Sequence, residues 1–598
     1  MMRMIIKSIL WIVLHVLAST TFAQELPRID EVLVTSEGRM SIANHPGADV
    51  RVFTRDDFSH LHAGSLAEVM ETLASVDMVE RGSPGTQADI SVRGSSFESV
   101  LVLVNGIRVH DPQTGHFIMD LPFDLSSVER IEVMTDGGSS MYGSSTSGGM
   151  INIITVREPH RLSGRISGGS HGSVDGSVSC GYRMAGMSVS ALIRGGKTDG
   201  YRPNSEREVL GAGLTGSYGT GVWAVTWNAG AERKAFGAGD FYASYPSSEK
   251  TQTFQGGMNV TRTLGRNGAV RLAVGSRGHG DDYILIKNNP AFYHNTHYNR
   301  STTAIVEYLA SPRKNLSVIA GSETERMGIT SGSLGSHDDY NAALYGRCAF
   351  RGTKSEMFAS LRYDGGSRDG GILSPGAGLA VRVNKMVRVT MDTGRTFRLP
   401  SYTDLYYDSP ANKGNPGLSS EKTSMVSTGV TLEKERGDVS ISLFHRRSTD
   451  VIDWVRFRGE TIWRTANHGR IMTNGIEMNA RFRILQQSEG RLSAVFLDQS
   501  VQRKMGVESK YSLNPLVRTI TASLTGAPAA RFRYTVVARH ENQMHGGSRT
   551  PVTVKLSCKT GPATAVLSVR NIFNERYEEL PGLPAPGRWV MLNMEYGR

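Results

Sequence analysis

Sixteen histidines, three cysteines and 56 acidic residues give this chain groups able to do chemistry. None falls into a catalytic spacing. There is no pair of histidines four apart around a glutamate, and no glycine-rich run ending in Gly-Lys-Ser/Thr to hold phosphate. His110 and His116 read first as solvated or lumenal side chains, with approach to a metal centre as the alternative. Asp281-Asp282 reads as a loop pair. Two carboxylates fall well short of the six to eight oxygens that calcium takes. Cys180, Cys348 and Cys558 lie too far apart for metal-ligand spacing. Their odd number argues against a disulfide framework, although one bridge stays compatible with an oxidising compartment. More suggestive are three polar stretches, residues 82–87, 95–98 and 111–116, rich in hydroxyl, amide and carboxyl groups. That chemistry suits hydrogen bonding to a large amphipathic ligand, set against the plainer reading of solvated turns. Recognition, rather than bond making, is the expected activity, and an enzyme is not expected.

The elements around these stretches are legible. Val100 to Val104 is a Val-rich apolar run of strand length, suited to burial on both faces. Asn105-Gly106 supplies a tight turn, and Ile107-Arg108-Val109 returns. Arg130 to Val133 alternates as a half-exposed strand does. Ser65 to Leu73 reads as a short helix with Leu66, Val69, Met70 and Leu73 on one face, and with Ser65 and Glu68 forming a capping box. Val76 to Val79 then reads as a strand.

From about residue 158 the texture becomes short alternating segments separated by Gly, Asn, Asp, Ser and Pro. Met357, Ala359, Leu361 and Tyr363 alternate with Phe358, Ser360, Arg362 and Asp364; Val439, Ile441 and Leu443 alternate with Ser440, Ser442 and Phe444. Such strands suit lipid on one side and a wet lumen on the other. A soluble sandwich alternates in the same way, so other features must decide. Met1 to Ala23 reads as a secretory signal, with Arg3 and Lys7 before an apolar run and Thr21-Phe22-Ala23 at the cleavage site. The run is short for a membrane-spanning helix. A mean hydropathy of −0.26 with 67 glycines argues against a helical membrane protein and is compatible with a barrel. The net charge of +11 brings no basic cluster with interleaved aromatics, so nucleic acid is not an expected partner. Basic residues spread over a lumen, loops and anionic lipid surfaces account for it more simply.

The order Ile90–Gly94, Val100–Val109, Val128–Val133, Met141-Tyr142-Gly143 and Ser147–Thr155 resembles the plug domain of TonB-dependent outer-membrane receptors. Further likeness lies in Arg395–Tyr402, followed by Gly414–Leu418 and Glu421, and in Asn571–Asn574 with Tyr577 and Pro586-Gly587-Arg588. The last strand is read as Trp589 to Tyr596. Two departures stand out: Thr135-Asp136-Gly137-Gly138 replaces the usual Arg-Gly-Pro-like turn, and Gly597-Arg598 follows the terminal aromatic residue. The resemblance implies a transmembrane β-barrel of about 22 antiparallel strands with an N-terminal α+β plug in its lumen. The expected divisions are a signal peptide at 1–23, a TonB-box segment at 24–40, a plug at 41–157 and a barrel at 158–598, in the outer membrane.

The resemblance also implies roles. Asp30-Glu31-Val32-Leu33-Val34-Thr35-Ser36 looks like the TonB box, an extended segment that the energy-transducing TonB complex grasps by strand addition; an ordinary first strand is the alternative. No extra domain precedes the plug, which weakens a signalling role. The three polar stretches become plug loops, with Ser83, Gln87, Ser95, Ser96, Phe97, Asp111, Gln113, Thr114 and His116 as candidate ligand contacts. No resident metal or cofactor is expected. Asp111-Pro112-Gln113-Thr114-Gly115-His116, Leu121-Pro122 and Gly239–Tyr242 with Tyr245-Pro246 resemble the cobalamin receptor branch in its Bacteroidota form. Active import of cobalamin or a related corrinoid is the leading expectation, with a ferric siderophore or haem as alternative cargo. A barrel-anchored surface-binding protein without transport is the alternative of another class. The expected partners are the TonB complex, the corrinoid or metal-chelate ligand and outer-membrane lipid. The resemblance leaves room for a surface lipoprotein.

Overall fold

The computed structural model describes residues 41–597, apart from 43–44, 46, 136–137, 158, 243, 369, 410–411, 486, 503–505, 510–515, 545–546 and 581. The signal segment and Asp30 to Ser36 lie outside the described residues, as does part of the turn 135–138.

The N-terminal unit contains β1 (Val50–Thr54), α1 (Arg55–Leu61), α2 (Leu66–Met70), β2 (Val76–Arg81), β3 (Gln87–Val92), β4 (Val100–Val104), β5 (Ile107–Val109), β6 (Val128–Met134) and β7 (Gly149–Thr155). Five of the strands form one sheet in the order β1-β6-β7-β4-β5, and β2 with β3 makes a separate hairpin. The apolar run of β4 is buried along its whole length. Val100, Val102 and Val104 face a cluster built with Phe58 and Val69, from α1 and α2. Leu101 and Leu103 face a second cluster that includes Ala273, Ile305 and Tyr345 of the surrounding wall. Each such side chain contributes about 1.5–3 kcal/mol on burial, so the strand anchors the unit to its own helices and to the barrel at once. Asn105 (φ 52°) and Gly106 (φ 74°) form the turn into β5, as a two-residue hairpin with positive φ at both positions requires.

Two local expectations change. The helix is shorter than Ser65–Leu73, and only half of the capping box forms: Ser65 Oγ accepts from the Glu68 amide at 3.3 Å. The Glu68 carboxylate instead accepts from the Gly64 amide at 2.8 Å and meets Lys555 and Arg570 of the barrel. The strand β6 is not half-exposed. Glu132 is fully buried and accepts from Ser41 Oγ (2.7 Å), the Ile42 amide (2.8 Å), Arg130 Nε (2.8 Å) and Asn152 Nδ2 (3.0 Å). Its polar face meets a polar interior rather than water.

Around this plug closes an antiparallel barrel of 23 paired segments. Ser548–Arg549 and Val552–Thr560 both pair with Phe532–Gln543 and make one broken strand, so the barrel has 22 strands. Leu162–Gly169 pairs with Trp589–Tyr596 and closes the ring, which leaves no free edge for lipid to satisfy. Burial is inverted relative to a soluble protein. On Ser355–Gly366, Leu361 and Tyr363 are half-exposed on the outside, while Arg362 and Asp364 are 1% and 2% exposed inside. One rim carries short turns, such as 185–186, 435–436 and 561–562; the other carries the long connections 238–247, 399–420, 450–469 and 571–588. Cys180, Cys348 and Cys558 are free thiols.

Candidate functional site

The three polar loops of the plug meet beneath the long-loop rim. The first joins β2 to β3, with Gly82 and Gly85 at positive φ. A Cβ on Gly82 would sit 2.8 Å from the Phe241 ring, so the rim approaches the plug as closely as glycine allows. Ser83 Oγ donates to the Ser205 carbonyl at 2.7 Å. Gln87 Oε1 accepts from the Tyr242 hydroxyl at 3.0 Å.

The second loop is the accessible apex. Ser96 is exposed, with Ser95 and Phe97 half-buried beside it. Ser95 Oγ accepts from the Val92 amide at 3.2 Å, and the Ser96 and Ser99 hydroxyls are 2.8 Å apart. The Phe97 ring stacks on His116 of the third loop at 4.3 Å between centroids. Glu98 accepts from the Gly115 amide (2.9 Å) and Thr114 Oγ1 (3.3 Å), tying the two loops together. Burial raises the Glu98 carboxyl above its ordinary range, with Arg398 opposing and Asp404 adding to the rise.

In the third loop, Asp111 Oδ1 accepts from the Gln113 amide at 3.1 Å. Burial pushes the Asp111 carboxyl up to about 6, against the pull of Arg277. Gln113 bridges two wall strands: its Oε1 accepts from Asn299 Nδ2 at 3.1 Å, and its Nε2 donates to Asp281 at 3.4 Å. His116 Nδ1 lies 2.7 Å from Asp89, which also holds Arg81 at 2.8 Å. The helix α3 (Tyr402–Tyr406) closes over this loop, its first amides donating to the carbonyls of Pro112 (2.9 Å) and Gln113 (3.2 Å). Beside it, His337 stacks on Tyr406 at 3.6 Å, and Arg368 lies 4.3 Å over Tyr402.

The structure therefore brings all nine candidate contacts to one end of the plug, but at different depths. Ser83, Gln87, Asp111, Gln113 and Thr114 are buried against the rim, hydrogen-bonded rather than solvated as turns. Ser95, Ser96, Phe97 and His116 are the less buried four. The cavity between Phe97, His110, Arg368 and Ser401 holds about 30 Å³, the share of one water. Small-ligand pockets run to roughly 300–1,000 Å³, so a large ligand either rests above Phe97 or displaces the rim.

Asp281 and Asp282 do not sit in a loop. They lie within the strand Gly268–Ile284, where neighbouring side chains point to opposite faces. Asp281 turns inward to Gln113, whereas Asp282 faces out to His294 at 2.6 Å, so the two cannot chelate one ion together. His110 Nδ1 is engaged by Glu325 at 2.7 Å. Among the described residues, no three His, Cys, Asp or Glu side chains are placed to hold a metal ion. Sequence reasoning passed over Arg81, Asp89, Glu98, Tyr242, Arg368 and Tyr402 as site residues. Glu98, Tyr242 and Tyr402 lay in stretches already singled out, and nothing local marked the rest.

The model of the TonB-dependent Receptor Plug Domain matches residues 44–150, and that of the TonB dependent receptor-like beta-barrel matches residues 174–543. The chain is 24% identical over 483 residues to the Vitamin B12 transporter BtuB of Vibrio vulnificus (strain YJ016), covering 77% of each. It is 36% identical to the Vitamin B12 transporter BtuB of Vibrio cholerae (strain M66-2) over 153 residues, 26% of this chain and 25% of that one. The fold superposes on the siderophore receptor PirA of Pseudomonas aeruginosa with a TM-score of 0.73 at 18% identity, covering 92% of this chain and 99% of that one. It superposes on the FrpB iron transporter of Neisseria meningitidis with a TM-score of 0.76 at 14% identity, covering 92% and 99%.

Proposed function

Because the chain belongs to the TonB-dependent receptors, a family of outer-membrane β-barrel receptors and not of enzymes, we propose that it actively imports cobalamin or a related corrinoid. The observation that carries this reading is the meeting of two plug loops in one hydrogen-bonding and stacking apex, Ser95 to Phe97 with His116, below the long-loop rim. In outer-membrane barrels the long loops face outward and the short turns face the periplasm, so the apex faces incoming ligand. The choice of cargo is supported by the sequence likeness to vitamin B12 transporters over most of the chain. The superposition on siderophore receptors speaks to fold alone.

Ligand binds at the apex and the rim. The TonB complex engages Asp30 to Ser36 by strand addition and pulls, drawing on energy from the inner membrane. The plug rearranges and the ligand passes. The test is equilibrium binding of cyanocobalamin to the purified barrel in detergent, with a ferric siderophore and haem as competitors. Saturable binding that neither competitor displaces supports the corrinoid reading. Direct saturable binding of either one, with no cyanocobalamin binding, transfers the site to iron chelates or haem.

A further inference from the structure

One flank of the plug meets the barrel only through scattered polar contacts. A cavity of about 320 Å³ runs beside it, lined from Thr198 and Trp589 at the long-loop ends of their strands to Ser163 and Tyr596 at the short-turn ends. At roughly 30 Å³ per water it has room for about ten waters, too little for a large ligand at rest. On other sides the plug meets the wall through direct contacts. Arg93 pairs with Glu477 at 2.7 Å, Arg362 Nη1 donates to the Met141 carbonyl at 3.2 Å, and the Ser140 and Ser360 hydroxyls meet at 2.6 Å.

The two sides of this seam differ in charge. The wall contributes Arg165, Arg194, Arg207, Lys234, Lys555 and Arg570 against one carboxylate, Asp175, which holds Arg207 at 2.7 Å, while the plug presents Glu68, Glu80, Asp120 and Asp124. Glu68 holds Lys555 at 2.6 Å and Arg570 at 2.7 Å, and Asp120 holds Lys234 at 2.6 Å. The Nε atoms of Arg165, Arg194 and Arg207 are buried with no acceptor among the described residues, so the wall has donors to spare for water or an anion. Glu68 also sits where a pull from the N-terminus arrives early. The strand β1 is the edge of the plug sheet and pairs only with β6; α1 and then α2, which carries Glu68, follow it in the chain.

We infer that this seam is the passage by which ligand leaves the plug, that its basic wall tracks a ligand bearing an anionic group such as a phosphodiester, and that Glu68 is the latch that must withdraw to open it. The inference rests on the import reading above. In sequence, β1 unzips, α1 and α2 follow, and Glu68 gives up Lys555 and Arg570. The cations so freed meet the anionic group of the ligand, which takes over the place of the plug carboxylate.

The test uses full-length protein with Cys180, Cys348 and Cys558 replaced by serine, carrying either Ser177→Cys on the seam wall or Ser360→Cys on the opposite wall. The probe is fluorescein-5-maleimide. Glu68→Gln is expected to speed labelling at S177C at least tenfold and to leave S360C unchanged; equal rates at the two positions overturn the inference. Should E68Q fail to assemble, Lys555→Gln with Arg570→Gln breaks the same latch from the wall and must give the same contrast. In cells, labelled S177C is expected to import cyanocobalamin at least tenfold more slowly than unlabelled, with equilibrium binding unchanged. Import at the unlabelled rate overturns the inference. If the unlabelled protein neither binds nor imports cyanocobalamin, the corrinoid reading falls, and the labelling contrast decides the seam by itself.

Discussion

The Phe97 ring lies 4.3 Å from the His116 imidazole with 24° between their planes, so the two plug loops that flank the β4–β5 hairpin present a single stacked surface. Phe97 is the large apolar group at the accessible apex, whereas Glu98 beside it is already engaged by Thr114 and Gly115, and Gln113 by the rim. A ligand from outside therefore gains most at this ring. Phe97→Ala is expected to weaken cyanocobalamin binding about tenfold, equivalent to about 1.4 kcal/mol and in the range of one aromatic contact. Equilibrium binding checks it, and the barrel should assemble normally because the ring supports no strand. Undiminished affinity would remove the apex from the binding site.

Behind this stack, Asp89 holds both His116 and the buried Arg81. Burial would raise its carboxyl, but Arg81 and His116 outweigh burial and bring it down to about 2. A depressed carboxyl contributes stability that is present above its unfolded value, near 4, and is lost as pH falls toward the folded one. Asp89→Asn leaves Arg81 without its counter-charge. It should loosen the hairpin β2–β3 by about 3 kcal/mol, roughly a hundredfold in local opening. Hydrogen exchange of the hairpin amides should show a difference that is constant from about pH 5 to 8 and shrinks only below about 4.

The parts of the fold set by local pattern were readable, and those set by tertiary closure were not. The β4–β5 hairpin follows from an apolar run and Asn105-Gly106, both contiguous. The inverted burial of Leu361 and Arg362 follows from period-2 alternation once a lipid exterior is assumed. Asp281-Asp282 was misread because Gly275, Gly278 and Gly280 imitate a turn, although the strand continues to Ile284. Burial of Gln87 and Gln113 depends on Tyr242 and Asn299, more than 150 residues away, and no local signal announces which rim residue folds down on which plug loop. Glu68 reads in sequence as the capping-box partner of Ser65, but its carboxylate goes instead to Lys555 and Arg570, which belong to the end of the chain.

Asp111 predicts a pH dependence opposite in sign to that of Asp89. Burial lifts its folded value to about 6, so the folded plug binds a proton more tightly than the unfolded chain does. The resulting penalty is absent below about pH 4, grows between the two values and is complete above about 6. Two units of difference set a ceiling on the order of 3 kcal/mol. Asp111→Asn keeps the Oδ1 acceptor for the Gln113 amide and removes the charge. It should raise the urea midpoint of plug unfolding near pH 8 and leave it unchanged near pH 4, followed with a spin label on Ser96→Cys in the cysteine-free background. A larger gain at low pH would mean that the charged form, held by Arg277, is the one the fold prefers.

Deletion of residues 30–36 separates binding from transport. Every candidate ligand contact argued above belongs to loops anchored by β2 to β5 and by the barrel. Transport depends wholly on residues 30–36 if the TonB complex pulls there, because strand addition to a partner sheet needs an unpaired extended segment with free amides and carbonyls. The deletion strain should bind cyanocobalamin with wild-type affinity and import it at the background level of a strain lacking TonB, a loss of at least tenfold. Wild-type uptake after deletion would mean that force enters the plug elsewhere. Loss of binding together with uptake would mean that the N-terminal segment helps to hold the apex in place. An intact binding curve without uptake in either strain would favour a barrel-anchored surface receptor over an importer.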